Sequence, residues 1–407
     1  MSGWWWNSEA KATRRSRLIG PLRPAGGMTF IDDTGPALPI FCHGGDLLAL
    51  FRRNRAMAES ELDDITVADF HGVRSWTRLS GDYWTSKDRD VGPWQASYWE
   101  AVRGFARALR ARGLRWMVSQ GEVTLDRLEF MRDLAKVLLS EGGLEVVATV
   151  DGGNEAWQTG EGDPVRLREA VEAFRVMLPV PIWSLTSPQG EEKAELDRYS
   201  GSVYDVHSSR AGNESDWIRH VFSIAYEQRP AKRLGINSEG PGAGDDRHGG
   251  LISVQNWAPS TEGMALLTAM QLMSRQIPVY MSSPGVSVRR RGEFAQQTGF
   301  REAAVIRDVL PRDLMQFQTL CHGGESWRGV RVLRSVGQDD SLIRTDHAIH
   351  NDGRFMVVVY AASPGDWVVG IPVEQRCELR VIHPATKEIS KTALYQPGES
   401  VGMRFDT

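Results

Sequence analysis

The segment Leu144-Glu145-Val146-Val147-Ala148-Thr149-Val150-Asp151 runs straight into Gly152-Gly153-Asn154-Glu155, so an apolar, β-branched stretch stops abruptly at two glycines and two polar residues. A short apolar run bounded in this way reads as a buried strand. Seven similar runs accompany it: Pro39 to Cys42, Gly72 to Leu79, Leu114 to Gln120, Val180 to Ser184, Ser202 to His207, Arg233 to Asn237 and Ile277 to Met281. Segments of helical period separate them, which is the pattern of successive βα units around a parallel sheet. Eight such strands are what a closed barrel needs. The expected fold class is therefore α/β, a (β/α)₈ TIM barrel.

The intervening helices carry their own start and stop signals. From Trp94 to Arg112, the residues Tyr98, Val102, Phe105, Ala106 and Leu109 share one face, and Gly113 follows as a left-handed terminator. Leu125 to Leu139 repeats the pattern with Leu128, Met131, Ala135 and Leu138 and ends at Gly142-Gly143. Asp163-Pro164 reads as an N-cap followed by the first helical residue. Ser260 opens a further helix whose Met264, Leu267, Met270 and Gln271 recur at helical spacing, the methionines serving as core filler.

Past the barrel the texture changes to valine-rich alternation in Phe355 to Tyr360, Trp367 to Ile371 and Cys377 to Ile382, broken by turns such as Ser363-Pro364-Gly365-Asp366. Short strands at close spacing predict a small C-terminal antiparallel β-sandwich. The expected division is an N-terminal extension over residues 1–27, the barrel over 28–320 and the sandwich over 321–407.

Composition excludes several classes. A formal net charge of -4 over 407 residues argues against a protein built to neutralise nucleic-acid phosphates. The short clusters Arg14, Arg15, Arg17 and Arg289, Arg290, Arg291 read as solvated loops. No run is apolar enough to span a membrane, and Met1-Ser2-Gly3-Trp4-Trp5-Trp6 lacks the form of a secretory signal, so a water-soluble chain is expected. Cys42, Cys321 and Cys377 lie far apart without metal-ligand spacing, and no cofactor or metal is expected. Fourteen tryptophans suit sugar binding, although packing alone accounts for most of them.

In a (β/α)₈ barrel the reacting groups sit at the C-terminal ends of the strands. The fourth run ends in Asn154-Glu155 and the seventh in Asn237-Ser238-Glu239-Gly240. Two carboxyl groups at these mouths face one another across the barrel. That arrangement suits glycoside hydrolysis, in which one carboxyl protonates the departing oxygen and the other meets the charge developing at the anomeric carbon.

These residues resemble clan A of the retaining glycoside hydrolases, the group containing many cellulases, mannanases and β-galactosidases. The resemblance covers the barrel and rests on the Asn-Glu pair closing strand four and the glutamate closing strand seven. The opening Phe30-Ile31-Asp32-Asp33-Thr34-Gly35 is similar to a short N-terminal hairpin found in many members. The resemblance implies that Glu155 is the acid/base, Glu239 the nucleophile and Asn154 a ligand for the hydroxyl beside the anomeric carbon. It also implies that Arg74 keeps the nucleophile ionised and that His207 lies near it, with His43 a weaker candidate for a sugar hydroxyl. The implied substrate is an oligosaccharide or polysaccharide.

The sequence departs from the family at strand eight, where a tryptophan floor is common and Val279-Tyr280-Met281-Ser282 stands instead. Trp257 or Tyr280 is the expected substitute, and Trp76 and Trp157, near strand ends, divide between packing and sugar stacking. Structural readings stand beside these: Arg74 as an ion-pair partner, His207 as a satisfied core histidine, and either glutamate as a helix cap or lysine partner. Asp245, Asp246, Arg247 and His248 read as a polar loop rather than a metal site. Two other functions fit the same barrel. One is a non-catalytic carbohydrate-binding protein. The other is a metal-dependent hydrolase, against which stands the single histidine of Phe41-Cys42-His43-Gly44.

Overall fold

The computed structural model describes residues 17–26, 28–80, 90–156, 161–185, 198–207, 233–240, 261–281, 292, 294–297 and 299–321, with the further strands named below and positions 376 and 396. The chain enters through a three-stranded antiparallel ribbon of β1 (Arg23–Ala25), β2 (Thr29–Asp32) and β3 (Gly35–Ala37). Phe30 is fully buried, and Asp32 takes hydrogen bonds from the Ile19 and Thr34 backbones, which fastens the ribbon.

Eight parallel strands follow, each overlapping one expected run: β4 (Phe41–His43), β5 (Gly72–Trp76), β6 (Arg115–Ser119), β7 (Val147–Asp151), β8 (Ile182–Ser184), β9 (Tyr204–His207), β10 (Gly235–Glu239) and β11 (Gln276–Tyr280). Their order across the sheet is β8-β7-β6-β5-β4-β11-β10-β9, so seven of the eight junctions of a barrel are ladders. The eighth is joined outside the named strands by Ser202 N–H donating to Trp183 O at 3.0 Å, and by bonds to side chains. Trp183 N–H donates to Ser202 Oγ at 2.8 Å, and Ser184 Oγ donates to Asp205 Oδ2 at 3.0 Å. Most residues in these strands are buried, as expected where one face lines the barrel and the other meets helices.

The outer layer includes α1 (Leu47–Arg53), α2 (Arg55–Val67), α3 (Tyr98–Arg112), α4 (Arg127–Ser140), α5 (Pro164–Arg175), α6 (Thr261–Met273) and α7 (Phe300–Val305). All five residues expected on the inner face of α3 are buried, and Gly113 ends the helix at φ 69°. That helix starts four residues later than its periodicity suggests, because Trp94 belongs to a turn in which its indole N–H donates to Asp90 at 3.1 Å. Asp163 caps α5 by accepting from Val165 N–H at 2.8 Å, with Pro164 in the first turn. No described helix is long and apolar enough to cross a membrane.

Beyond the barrel, β12 (Gln318–Cys321), β14 (Ile343–Ile349) and β15 (Phe355–Ala361) form one antiparallel sheet, and β13 (Arg331–Arg334), β16 (Trp367–Pro372) and β19 (Ser400–Phe405) form another. β17 (Cys377–Ile382) pairs with β18 (Ile389–Tyr395). The antiparallel character read from the valine alternation is thus present, and β12 straddles the expected boundary at residue 320.

Candidate active site

The turn after β7 is fixed before any functional side chain is considered. Gly152 N–H donates to Ser184 O at 3.1 Å, Gly153 N–H to Asp151 Oδ1 at 3.2 Å and Asn154 N–H to Gln120 O at 2.6 Å. Gln120 Nε2 returns a bond to Gly152 O at 3.1 Å. The glycines make room for the core rather than for a ligand, since a Cβ on Gly153 would lie 2.6 Å from Val123 Cγ2. The chain then reaches Glu155 at φ 42°, in the left-handed region that non-glycine residues avoid.

Glu239 arrives by a different device. The ladder between β9 and β10 pairs Asn237 with Val206 and then Glu239 with His207, so Ser238 is the extra residue of a bulge. A bulge re-aims the side chain beside it, and here it sets Glu239 level with His207. One ligand atom from each of Glu155, His207 and Glu239 can be chosen so that all lie within 4.8 Å of one another. Both glutamates are 5% exposed.

Arg74, on β5, ties the site together from below. Nη1 donates to Glu239 Oε1 at 3.2 Å and lies 2.8 Å from His43 Nε2, while Nη2 donates to Asn154 Oδ1 at 2.7 Å and to Ser119 Oγ at 3.3 Å. Asp151 Oδ2 is 3.7 Å from Nη2 and accepts from Ser119 Oγ at 2.8 Å. Charge-assisted bonds of this kind are stronger than neutral ones.

The surroundings of the two histidines push their pKa values in opposite directions. His43 is buried, and burial pushes its pKa down to about 4, with the Arg74 charge acting in the same direction and Glu239 opposing. Gly45 N–H donates to its Nδ1 at 3.3 Å and Arg74 Nη1 lies 2.8 Å from its Nε2, a setting that disfavours a proton on both ring nitrogens at once. His207 is also opposed by burial, but the charge of Glu239 and the hydrogen bond and charge of Glu155 outweigh it and raise its pKa. Its Nδ1 lies 3.0 Å from Glu155 Oε1 and 3.6 Å from Glu239 Oε2. These three residues are the ones that would hold a cation here, since each offers one ligand atom to a common point.

Six of the residues singled out in the sequence are therefore assembled in one place: Glu155, Glu239, Asn154, Arg74, His207 and His43. Trp76 joins at the edge, its ring perpendicular to His43 with centroids 5.6 Å apart, but it is only 3% exposed. Tyr280 goes elsewhere. Its ring packs against Phe70 and against Phe300 of α7 at centroid distances of 6.2 and 5.4 Å. Trp157 and Trp257 lie outside the described residues, as does the loop Asp245 to His248.

Sequence reasoning passed over a second tier of acids. Asp151 and Asp205 are both buried within the barrel, and burial followed by the Asp151 charge pushes the Asp205 pKa up to about 6. The one signal available was an acid closing an apolar run at Asp151 and another inside the run at Asp205. Buried carboxyl groups are rare unless paired.

Solved structures share the architecture. A glycoside hydrolase superposes with a TM-score of 0.58 at 11% identity, over 96% of each chain. A glycoside hydrolase family 5 protein from Bacteroides vulgatus gives a TM-score of 0.62 at 11% identity, over 96% of this chain and 92% of the other. No protein-family model matches the sequence, and no curated protein does. At such low identity the likeness establishes the fold.

Proposed function

We propose that this chain is a retaining glycoside hydrolase acting on an oligosaccharide or polysaccharide. The observation that carries the reading is the close approach of Glu155 and Glu239, whose chosen oxygens lie within 4.8 Å at the C-terminal ends of strands four and seven. Double displacement calls for a separation of about 5 to 5.5 Å, and an inverting pair needs about 6.5 to 9.5 Å to admit a water. The shared barrel fold supports the same reading.

In the first step Glu239 attacks the anomeric carbon as the bond to the leaving oxygen breaks, and Glu155 gives that oxygen its proton. In the second, Glu155 takes a proton from water as the water oxygen displaces Glu239. Arg74 holds Glu239 as the carboxylate that attack requires. Asn154 has its carbonyl engaged by Arg74, so what it offers the sugar hydroxyl is its amide hydrogens. His207, between the glutamates, holds their carboxyl groups in register through Nδ1. His43 acts on Arg74 and Glu239 from beneath rather than on the sugar. We assign the catalytic barrel to residues 28–320 and read the C-terminal sheets, over 321–407, as a small β-sandwich.

The test is a panel of aryl α- and β-glycosides and polysaccharides, with the anomer of the first product followed by proton NMR. Retention is expected. Glu239→Ala is expected to be folded and inactive, and inversion or an active Glu239→Ala variant overturns the assignment.

A further inference from the structure

Glu155 and Glu239 come from opposite sides of the barrel, yet one buried carboxylate is bonded into the supports of both. Asp151 Oδ1 accepts from Gly153 N–H at 3.2 Å, inside the turn that carries Asn154 and Glu155. Asp151 Oδ2 accepts from Ser119 Oγ at 2.8 Å, and that hydroxyl in turn accepts from Arg74 Nη2 at 3.3 Å. Arg74 is the group that donates to Glu239 and to Asn154. We propose that Asp151 is a positioning residue that sets the acid-bearing turn and the arginine serving Glu239 relative to one another, a role that rests on the reading of those two glutamates as the catalytic pair.

Each link has a direction. Arg74 donates to Ser119, and Ser119 donates to Asp151, so a negative charge at the end of this chain strengthens both bonds and holds the guanidinium plane. Arg74 is 1% exposed, so its orientation is settled by the groups inside the barrel that accept its hydrogens. Without the Asp151 charge, Nη2 keeps Asn154 but loses its pull toward Ser119 on β6, and Nη1 is no longer held against Glu239. The neighbouring acid fits this assignment. Burial, and after it the charge of Asp151, push the Asp205 pKa up to about 6, so of the two acids Asp205 is the one biased toward its neutral form.

The two oxygens of Asp151 can be tested separately. Asp151→Asn keeps the shape and an oxygen for Gly153 N–H, but removes the charge at the end of the Ser119 relay. Asp151→Ala removes both supports, and Ser119→Ala cuts the relay alone. With 2,4-dinitrophenyl and 4-nitrophenyl glycosides, Asp151→Asn is expected to lower kcat about 10²-fold with KM within about threefold, the loss typical of a misplaced group remote from the bond being broken. That loss is expected to be equal for the two leaving groups, because it acts through Glu239. Asp151→Ala is expected to lose a further factor of about ten with the poorer leaving group, because the turn holding the acid is loosened as well. Crystal structures of the wild type and both variants supply a readout that needs no turnover: Arg74 Nη1 is expected beyond hydrogen-bond distance of Glu239 in both, and residues 152–155 displaced in the Ala variant alone. Asp151→Asn with wild-type kcat, or with Arg74 unmoved, overturns the proposal. If the wild type cleaves no glycoside, the hydrolase reading fails by itself, and the crystal structures still decide the role of Asp151. Should Asp151→Ala not fold, Asp151→Asn and Ser119→Ala carry the same decision, the latter expected to show the kcat loss without leaving-group dependence.

Discussion

Replacing Arg74 by methionine removes the charge from the centre of the barrel while keeping most of the aliphatic stem. The guanidinium lies 3.2 Å from Glu239 Oε1 and 3.7 Å from Asp151 Oδ2, and it also satisfies Asn154 Oδ1 at 2.7 Å. Removing one partner of a buried ion pair costs about 3–5 kcal/mol, because the remaining charge stays out of water. Two carboxylates and an amide oxygen are orphaned here, so the upper end of that range is expected at pH 8. The orphaned carboxyl groups can escape the penalty only by binding protons, and the variant then takes up protons on folding. By linkage the stability gap is therefore narrow near pH 4.5, where carboxyl groups are protonating in the unfolded chain as well, and widens as pH rises. Urea unfolding followed by tryptophan fluorescence at pH 5 and pH 8 measures both gaps. Equal destabilisation at the two pH values would falsify the argument, since lost packing has no reason to depend on protons.

His43 gives a pH effect of opposite sense. Its pKa is about 4 in the folded chain against an ordinary 6.5, so the unfolded state binds the extra proton between these values and stability falls as pH drops through that window, by up to roughly 3 kcal/mol. A His43→Gln variant is expected to show a flatter stability curve between pH 6.5 and 4 in denaturant titrations. Gly72→Ala places a Cβ 2.0 Å from the Arg115 carbonyl oxygen, a backbone atom that cannot swing aside. A loss of about 3 kcal/mol or more is expected from overpacking, read as a lowered urea midpoint. Asp163→Ala removes the cap bond to Val165 N–H and is expected to cost about 1 kcal/mol, with kcat unchanged because α5 lies outside the barrel.

The barrel was legible because each of its strands is an apolar run ended by polar or glycine residues, and because helix ends such as Asp163-Pro164 and Gly113 carry their own backbone chemistry. Glu155 and Glu239 were legible for a related reason, since strand ends in this architecture point to one face. What lies within a strand is harder to read. Tyr280 closes β11 and looked like a candidate platform, but which way it points depends on the pleat, and it turns to Phe70 and Phe300. Asp151 and Asp205 were passed over because an acid in an apolar run gives no sign of its partner when that partner, Ser119 or Ser184, is supplied by another strand. The bulge at Ser238 left no mark in the residue pattern either, yet it determines the level at which Glu239 stands.

Glu155 adopts a backbone conformation that suits glycine or asparagine far better than glutamate. Left to selection for thermal robustness alone, this position would drift away from an acid, and Glu155→Gly is expected to melt higher than the wild type while losing its chemistry. A glutamate that persists there does so against the local conformational preference. Screens that enrich for heat-resistant variants should therefore be checked at residue 155 first, because the readiest gain in durability coincides with the loss of the side chain proposed to move the proton.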